Sequence, residues 1–253
     1  MIVATWNVNS VRARRDRLNA WLAKHNPHVL CLQELKVADE VFLTEQLVPT
    51  GYHAVTHGQK TYNGVAILSK TRPQNVSRGM NDDPQARLIT AEIDGLRIIN
   101  VYVPNGAEVG SDKWAYKLDW LDRLKAYLVE NADPSQPLLL CGDFNIAPTD
   151  RDVANPDAWA NSVLCHDDVR AALDEILCWG LVDLFAARHP EGGIYSWWDY
   201  RQLAFPRNDG LRLDLILATP PLADKCSAVT IDRDERKGQK PSDHVPVIAT
   251  FDL

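Results

Sequence analysis

No segment of this chain is both low in complexity and rich in proline, glycine or serine. Nothing in its 253 residues marks a linker, so one domain spanning residues 1–253 is expected. No apolar run approaches the roughly 18 residues that cross a bilayer. The opening MIVATWNVNS lacks the basic-then-apolar form of a secretory signal, so a cytoplasmic protein without membrane partners is expected. Cysteine is scarce, with five residues and no CxxC spacing. Cys31 and Cys141 fall inside apolar runs, which argues against bridges or a zinc cluster and for small buried hydrophobes in a reducing compartment. Neither G-x-G-x-x-G nor G-x-x-x-x-G-K-[ST] occurs, which leaves a doubly wound nucleotide-binding fold without support. Positive charge is short as well: a net charge of -7 argues mildly against a protein that coats nucleic acid.

Two basic stretches stand out against that acidic sum. VRARRDR carries Arg12, Arg14, Arg15 and Arg17, and RDERKGQK carries Arg233, Arg236, Lys237 and Lys240. Charge alone leaves them equally readable as solvated surface or as a rim that faces phosphate.

Short β-rich runs fill most of the rest. Ile2–Val8, His28–Glu34, Gly64–Ser69, Arg87–Ile93, Leu96–Val103 and the run LLLC from Leu138 read as strands from their β-branched or continuous apolar content. Asp94-Gly95 between two of them is a strong hairpin signal. In KWAYKLDWLDRLKAYLVEN, Trp114, Leu118, Leu121, Leu124, Tyr127 and Leu128 recur at helical spacing, with Asp112 as the expected cap. A second helix is predicted over Val169–Trp179, stopped by Gly180. Twice the chain runs from strand through polar turn and helix to an apolar strand that ends in an acid, first at HVLCLQE and later at LLLCGDFN. Hairpins mixed with such buried strands predict an α+β fold, a four-layer αββα sandwich of two packed mixed β-sheets flanked by helices.

Where these strands end, polar side chains follow. Asn7 closes IVATW, Glu34 closes VLCLQ, Tyr102 and Asn105 lie in NVYVPNG, and Asp143 and Asn145 lie in GDFN; Asp214 lies in GLRLD, and Asp243 and His244 in SDHVPV. Each has an ordinary explanation as a turn or cap residue. Gathered on one sheet edge, they suit hydrolysis of a phosphodiester. The oxygen donors Glu34, Asp243 and Asn7 suit Mg²⁺ or Mn²⁺, whereas zinc calls for more His or Cys. Asp143 could orient or deprotonate the attacking water, and Asn145 could hold that water or a phosphate oxygen. His244 could donate to a non-bridging oxygen if a carboxylate such as Asp214 fixed its tautomer and kept it protonated.

With WNVNSVR, LQELK, NVYVPNG, GDFNIAP, SWWDYR, GLRLD and SDHVPV together, the chain resembles the exonuclease III and abasic-site endonuclease group of the endonuclease/exonuclease/phosphatase superfamily, from Thr5 to its last residue. GDFN with SDH marks only the superfamily; SWWDYR and GLRLD narrow it. The resemblance implies the deoxyribonuclease I-like fold and Glu34 as the main metal ligand. It implies that Asn7 and Asp143 arrange the water beside Asn145, that Tyr102 and Asn105 touch the scissile phosphate, that Asp214 pairs with His244, and that Asp243 assists the metal or the leaving group. It further implies an apolar pocket for a base-free sugar at Trp197, Leu211 and Leu213; if the first basic stretch faces phosphate, Arg12 is a candidate contact to the DNA backbone. The chain departs from the group's pattern at Asn9, where some members carry aspartate, at Leu35, where threonine is frequent, and at Ala107-Glu108, where some carry an arginine that enters the helix.

The expected activity is that of a monomeric, Mg²⁺-dependent DNA repair nuclease. It would cut 5′ to abasic sites in duplex DNA, with 3′-5′ exonuclease and 3′-end trimming activity. The alternative is a phosphodiesterase or phosphatase of the same superfamily acting on RNA or a small phosphate ester.

Overall fold

The computed structural model describes residues 1–44, 51–80 and 82–253. One six-stranded sheet contains β1 (Ile2–Asn7), β2 (Val29–Gln33), β3 (His53–His57), β4 (Val65–Ser69), β11 (Cys226–Ile231) and β12 (Val247–Phe251). The other contains β5 (Gln74–Arg78), β6 (Leu88–Ile93), β7 (Leu96–Tyr102), β8 (Leu138–Asp143), β9 (Val182–Asp183) and β10 (Asp214–Ala218). The helices are α1 (Val11–His25), α2 (Asp39–Thr44), α3 (Asp112–Asn131), α4 (Pro156–Trp159), α5 (Asp167–Cys178), α6 (Ala204–Arg207) and α7 (Pro220–Ala223). No helix among the described residues is long and apolar enough to cross a membrane.

The inner faces of the two sheets share a core of small and β-branched residues, including Val3, Cys31 and Ile67 from one sheet and Ile98, Cys141 and Ile216 from the other. On one outer face α1 lays Leu18, Trp21 and Leu22 over Trp6, Leu30 and Leu32. On the other, α3 and α5 lay Leu121, Leu124, Leu173 and Ile176 over Ile99 and Leu140. Each fully buried leucine contributes roughly 1.5–3 kcal/mol by leaving water. The four layers are those the strand and helix pattern predicts.

Among the described residues, the repeated strand–helix–strand pattern gives the sheets their only parallel pairs, β1 with β2 across α1 and β7 with β8 across α3. Parallel neighbours end on the same side of a sheet. Asn7 is therefore level with Gln33, one residue before Glu34, and Tyr102 is level with Asp143. β10 enters antiparallel with Asp214 opposite Asp143, and His244 precedes β12 beside β1. Topology alone brings these polar ends to one edge.

Several local expectations change. Ser111, not Asp112, caps α3 by accepting from the Trp114 amide at 3.2 Å; Asp112 is the first helical residue, where its charge faces the positive end of the helix dipole. The hairpin turn at Asp94-Gly95 has φ of 52° and 80°, both left-handed as the tight turn requires. Strands β3 and β5 carry polar sequences, HAVTH and QNVSR, that alternation does not reveal. Both lie at sheet edges, where backbone pairing rather than burial defines the strand.

Behind the site the sheets are joined by a buried polar cluster. The Gln33 amide donates to Asn100 Oδ1 at 2.7 Å and to Thr5 Oγ1 at 2.8 Å, and Asn100 Nδ2 donates to the Leu32 and Ala66 carbonyls at 2.9 Å. Replacing Asn100 by alanine strands several buried groups without partners, a loss expected at about 2–4 kcal/mol. Urea unfolding should show it as a lower midpoint at unchanged slope; an unchanged midpoint would show the cluster to be energetically idle.

Candidate active site

The run LLLCGDFN becomes β8 and the turn after it, and Gly142 explains its composition. At φ 146° it lies against β7, where a Cβ would come within 1.9 Å of the Val101 carbonyl oxygen. Only glycine permits this approach, which sets Asp143 deep at the sheet edge with 1% of its surface exposed. Its carboxylate is gripped from several sides: Oδ1 accepts from the Asn145 amide at 2.9 Å, and Oδ2 accepts from Asn7 Nδ2 at 2.8 Å and Asn145 Nδ2 at 3.3 Å.

His244 lies between two carboxylates. Its Nδ1 is 2.9 Å from Asp214 Oδ2 and its Nε2 is 3.6 Å from Asp143 Oδ2. Burial works against the imidazolium, but the charges of Asp214 and Asp143 outweigh it and raise the group to about 10. Burial pushes the Asp143 carboxyl up to about 7; the His244 cation and the Asn7 bond oppose that rise, and Asp214 adds to it. These three side chains also bring ligand atoms within 4.8 Å of one another, a set that could take a metal ion only if the imidazole gave up its proton. The trio is an electrostatic relay in which a hydrogen bond joins His244 to Asp214 and a longer ion pair joins it to Asp143. Sequence reading missed its inner support, Ser196, whose hydroxyl donates to Asp214 Oδ2 at 2.6 Å while accepting from the Leu213 and Asp214 amides.

The cation position lies beside this relay. Glu34, held at φ 53°, accepts from Asn7 Nδ2 at Oε1 over 2.9 Å. Glu34 Oε2 and Asn9 Oδ1 converge on one point, now filled by the Lys36 ammonium at 2.7 and 2.6 Å. A carboxylate and an amide oxygen that share a lysine cation form a hard-oxygen site, the donor set a Mg²⁺- or Mn²⁺-sized ion takes. Asn7 orients two carboxylates through its Nδ2, while its Oδ1 accepts from the Asn9 amide at 2.9 Å. Asp243 does not join Glu34 in a ligand cluster. Its Oδ1 accepts from Asn9 Nδ2 at 2.9 Å and its Oδ2 from Trp197 Nε1 at 3.1 Å, so it holds Asn9 in place from behind.

Tyr102 keeps its proton well beyond the usual phenol range because of burial and the charges of Glu34 and Asp143; the Arg87 guanidinium lies 4.7 Å over its ring. Asn105 is exposed and donates from Nδ2 to Asn145 Oδ1 at 3.1 Å. Two depressions meet at Asn105. One of about 510 Å³ is lined by Tyr62, Arg87, Tyr102 and Lys113, and one of about 770 Å³ by Glu108, Trp159, Leu164 and Trp197.

Leu211 and Leu213 do not line the second depression as the resemblance implies. Both are buried in the core beneath it, because alternation along GLRLD turns them inward while Arg212 pairs with Asp152 and Asp183 on the other side. Leu211 exchanges backbone bonds with Trp197 and so supports it from behind. The open face belongs to Trp197 and to Trp159, whose rings meet edge-on at 5.9 Å. Trp159 follows a proline in a one-turn helix, a context that gives no pocket signal in sequence.

The basic stretches pack against each other. Arg14 donates to the Asn9 and Pro241 carbonyls and to the Tyr200 hydroxyl, and Arg17 pairs with Glu235 at 2.7 Å. These two arginines fasten loops, so neither alternative, free surface or phosphate rim, describes the whole stretch. Arg12 is exposed on the first turn of α1.

Two mixed sheets under helices, with carboxylate, amide, phenol and imidazole on their shared edge, define the deoxyribonuclease I-like class of hydrolase. The profile of the Endonuclease/Exonuclease/phosphatase family matches residues 4–244, and the chain belongs to that family. It is 38% identical to exodeoxyribonuclease III of Haemophilus influenzae over 98% of both chains. Among solved structures it is similar to an AP endonuclease from Archaeoglobus fulgidus, at 44% identity and a TM-score of 0.97 over the whole of both chains. It is also similar to the 3′ phosphatase NExo from Neisseria bound to a product DNA hairpin, at 41% identity and a TM-score of 0.95 over the whole of both chains.

Proposed function

We propose that the chain is a DNA repair nuclease that hydrolyses the phosphodiester 5′ to abasic sites in duplex DNA and trims 3′ ends, with Mg²⁺ or Mn²⁺ as its metal. The observation that carries this reading is the run of buried polar contacts from Asp214 through His244, Asp143 and Asn7 to Glu34, hydrogen bonds throughout except for the 3.6 Å ion pair of His244 with Asp143, which crosses from one sheet to the other beside the exposed Asn105. Relatives named as exodeoxyribonuclease III and AP endonuclease support DNA as the substrate.

In this reading Asp143 takes a proton from the attacking water, with its carboxylate aimed by Asn7 and the Asn145 amide. His244, protonated and steadied by Asp214, donates to a non-bridging phosphate oxygen, and the Tyr102 phenol and the Asn105–Asn145 amides surround the same group. Glu34 and Asn9 would hold the divalent ion, which would supply neutralisation of the phosphate charge and of the departing oxygen. Trp197 and Trp159 form the apolar face for a sugar without its base, a nucleotide that leaves the stack cheaply. Arg12 meets the DNA backbone.

Incubation with a labelled duplex containing one abasic site, with and without EDTA, tests the reading against RNA and inositol phosphate. EDTA-sensitive incision of the duplex alone is expected; cleavage of RNA or the small ester in preference would replace it. Glu34→Ala should raise the Mg²⁺ concentration for half-maximal rate at least about tenfold. An unmoved metal titration would take Glu34 out of the metal site.

A further inference from the structure

The reaction above makes no use of the buried ammonium of Lys117. Lys117 in α3 has no exposed surface and packs among apolar residues of that helix layer such as Trp114 and Leu121. Its ammonium is aimed at backbone oxygens: Nζ donates to the carbonyls of Asn105 at 3.1 Å, Asn145 at 2.7 Å and Val163 at 2.7 Å. An ammonium has three protons, and all are used. Burial draws the group down to about 7 against the pull of the Asp143 charge. A methionine would fill the same space without the penalty of desolvating a cation, so packing alone does not account for a lysine here.

The three carbonyls have the site in common. Asn105 and Asn145 are the amide pair joined at 3.1 Å, and Val163 belongs to the wall of the depression that holds Trp197 and Leu164. These loops are far apart in sequence and converge on this one nitrogen. The turn after Asn105 is shaped to the lysine stem, since a Cβ on Gly106, at φ 97°, would come within 3.0 Å of Lys117 Cδ.

We propose that Lys117 is a positioning residue for phosphodiester hydrolysis: its ammonium clamps the Asn105, Asn145 and Val163 carbonyls, so that the amide pair and the depression wall meet the scissile phosphate and its sugar as one rigid receptor. The proposal rests on the nuclease reading for its substrate; the clamp itself does not. Misplacing a phosphate-holding group by about 1 Å costs on the order of 10²-fold in rate, and that is the size of effect a lost clamp produces.

The test compares the full-length wild type with Lys117→Met and Lys117→Gln at a temperature where all are folded, using an abasic duplex and a 3′-phosphate duplex. Lys117→Met should lower kcat per folded molecule by about 10²-fold with KM changed less than about threefold, because the substrate still docks on an unaltered face. Lys117→Gln, which donates without charge, should recover part of the loss. Amide hydrogen exchange should rise together in residues 103–107, 143–147 and 161–165 of Lys117→Met and stay level in the first sheet. Should Lys117→Met fail to fold, Lys117→Gln carries the same comparisons against wild type. A kcat per folded molecule within about threefold of wild type, or exchange unchanged in the three loops, overturns the proposal. If the wild type itself cuts neither duplex, the nuclease reading fails while the exchange data still decide the clamp.

Discussion

Asp143→Asn is expected to reduce turnover on an abasic duplex by about 10³-fold or more while leaving duplex affinity within about threefold. The substitution keeps shape and removes the basic oxygen. Both carboxylate oxygens now accept, Oδ1 from the Asn145 amide and Oδ2 from Asn7 Nδ2, and an asparagine satisfies one of these donors and opposes the other. The buried negative charge beside the His244 cation is lost at the same time. The substitution leaves Asn105 and the apolar face at Trp197, the proposed contacts to phosphate and sugar, in place, so binding is expected to persist. Single-turnover cleavage measured beside fluorescence anisotropy separates the two effects. Turnover within about tenfold of wild type would remove Asp143 from the role of base.

The next largest effect belongs to His244 and reads out in pH. The proposed reaction uses Asp143 ionised and His244 protonated, so kcat should rise as pH passes through about 7, where the carboxyl loses its proton, and fall as it approaches about 10, where the imidazolium does. His244→Gln should lower kcat by about 10²-fold or more and abolish the alkaline fall. It should also move the acid limb to higher pH. The sign follows from the relay: the imidazolium holds the Asp143 carboxyl down, and without it burial and the Asp214 charge act unopposed by that cation. A pH–rate profile whose acid limb stays in place or moves down would separate Asp143 from His244 and break the relay.

The relay and the cation position were unequally legible. Asp143, Asn145, Asp214 and His244 could be named because each closes or opens an apolar run, and strand ends project side chains into a common edge. Asp243 was named for the same reason, yet its oxygens hold Asn9 and Trp197, because hydrogen-bond geometry rather than residue type decides whether a carboxylate faces a metal. Leu211 and Leu213 share the motif that carries Asp214 but alternate into the core. Ser196, Lys36, Trp159 and Lys117 gave no signal. A serine before two tryptophans or a lysine in a long amphipathic helix has many ordinary uses, and only the fold shows what surrounds it.

By itself the sequence determined the layers. Apolar strand runs, two strand–helix–strand units and the Asp94-Gly95 turn leave few ways to bury this core, and local patterning is a property of neighbours along the chain. Only the tertiary structure decided which polar atoms share a proton, a cation or a carbonyl. Those partners can lie 238 residues apart, as with Trp6 and the His244 carbonyl, and the tenths of an ångström that separate a bond from a near miss are fixed by packing across both sheets.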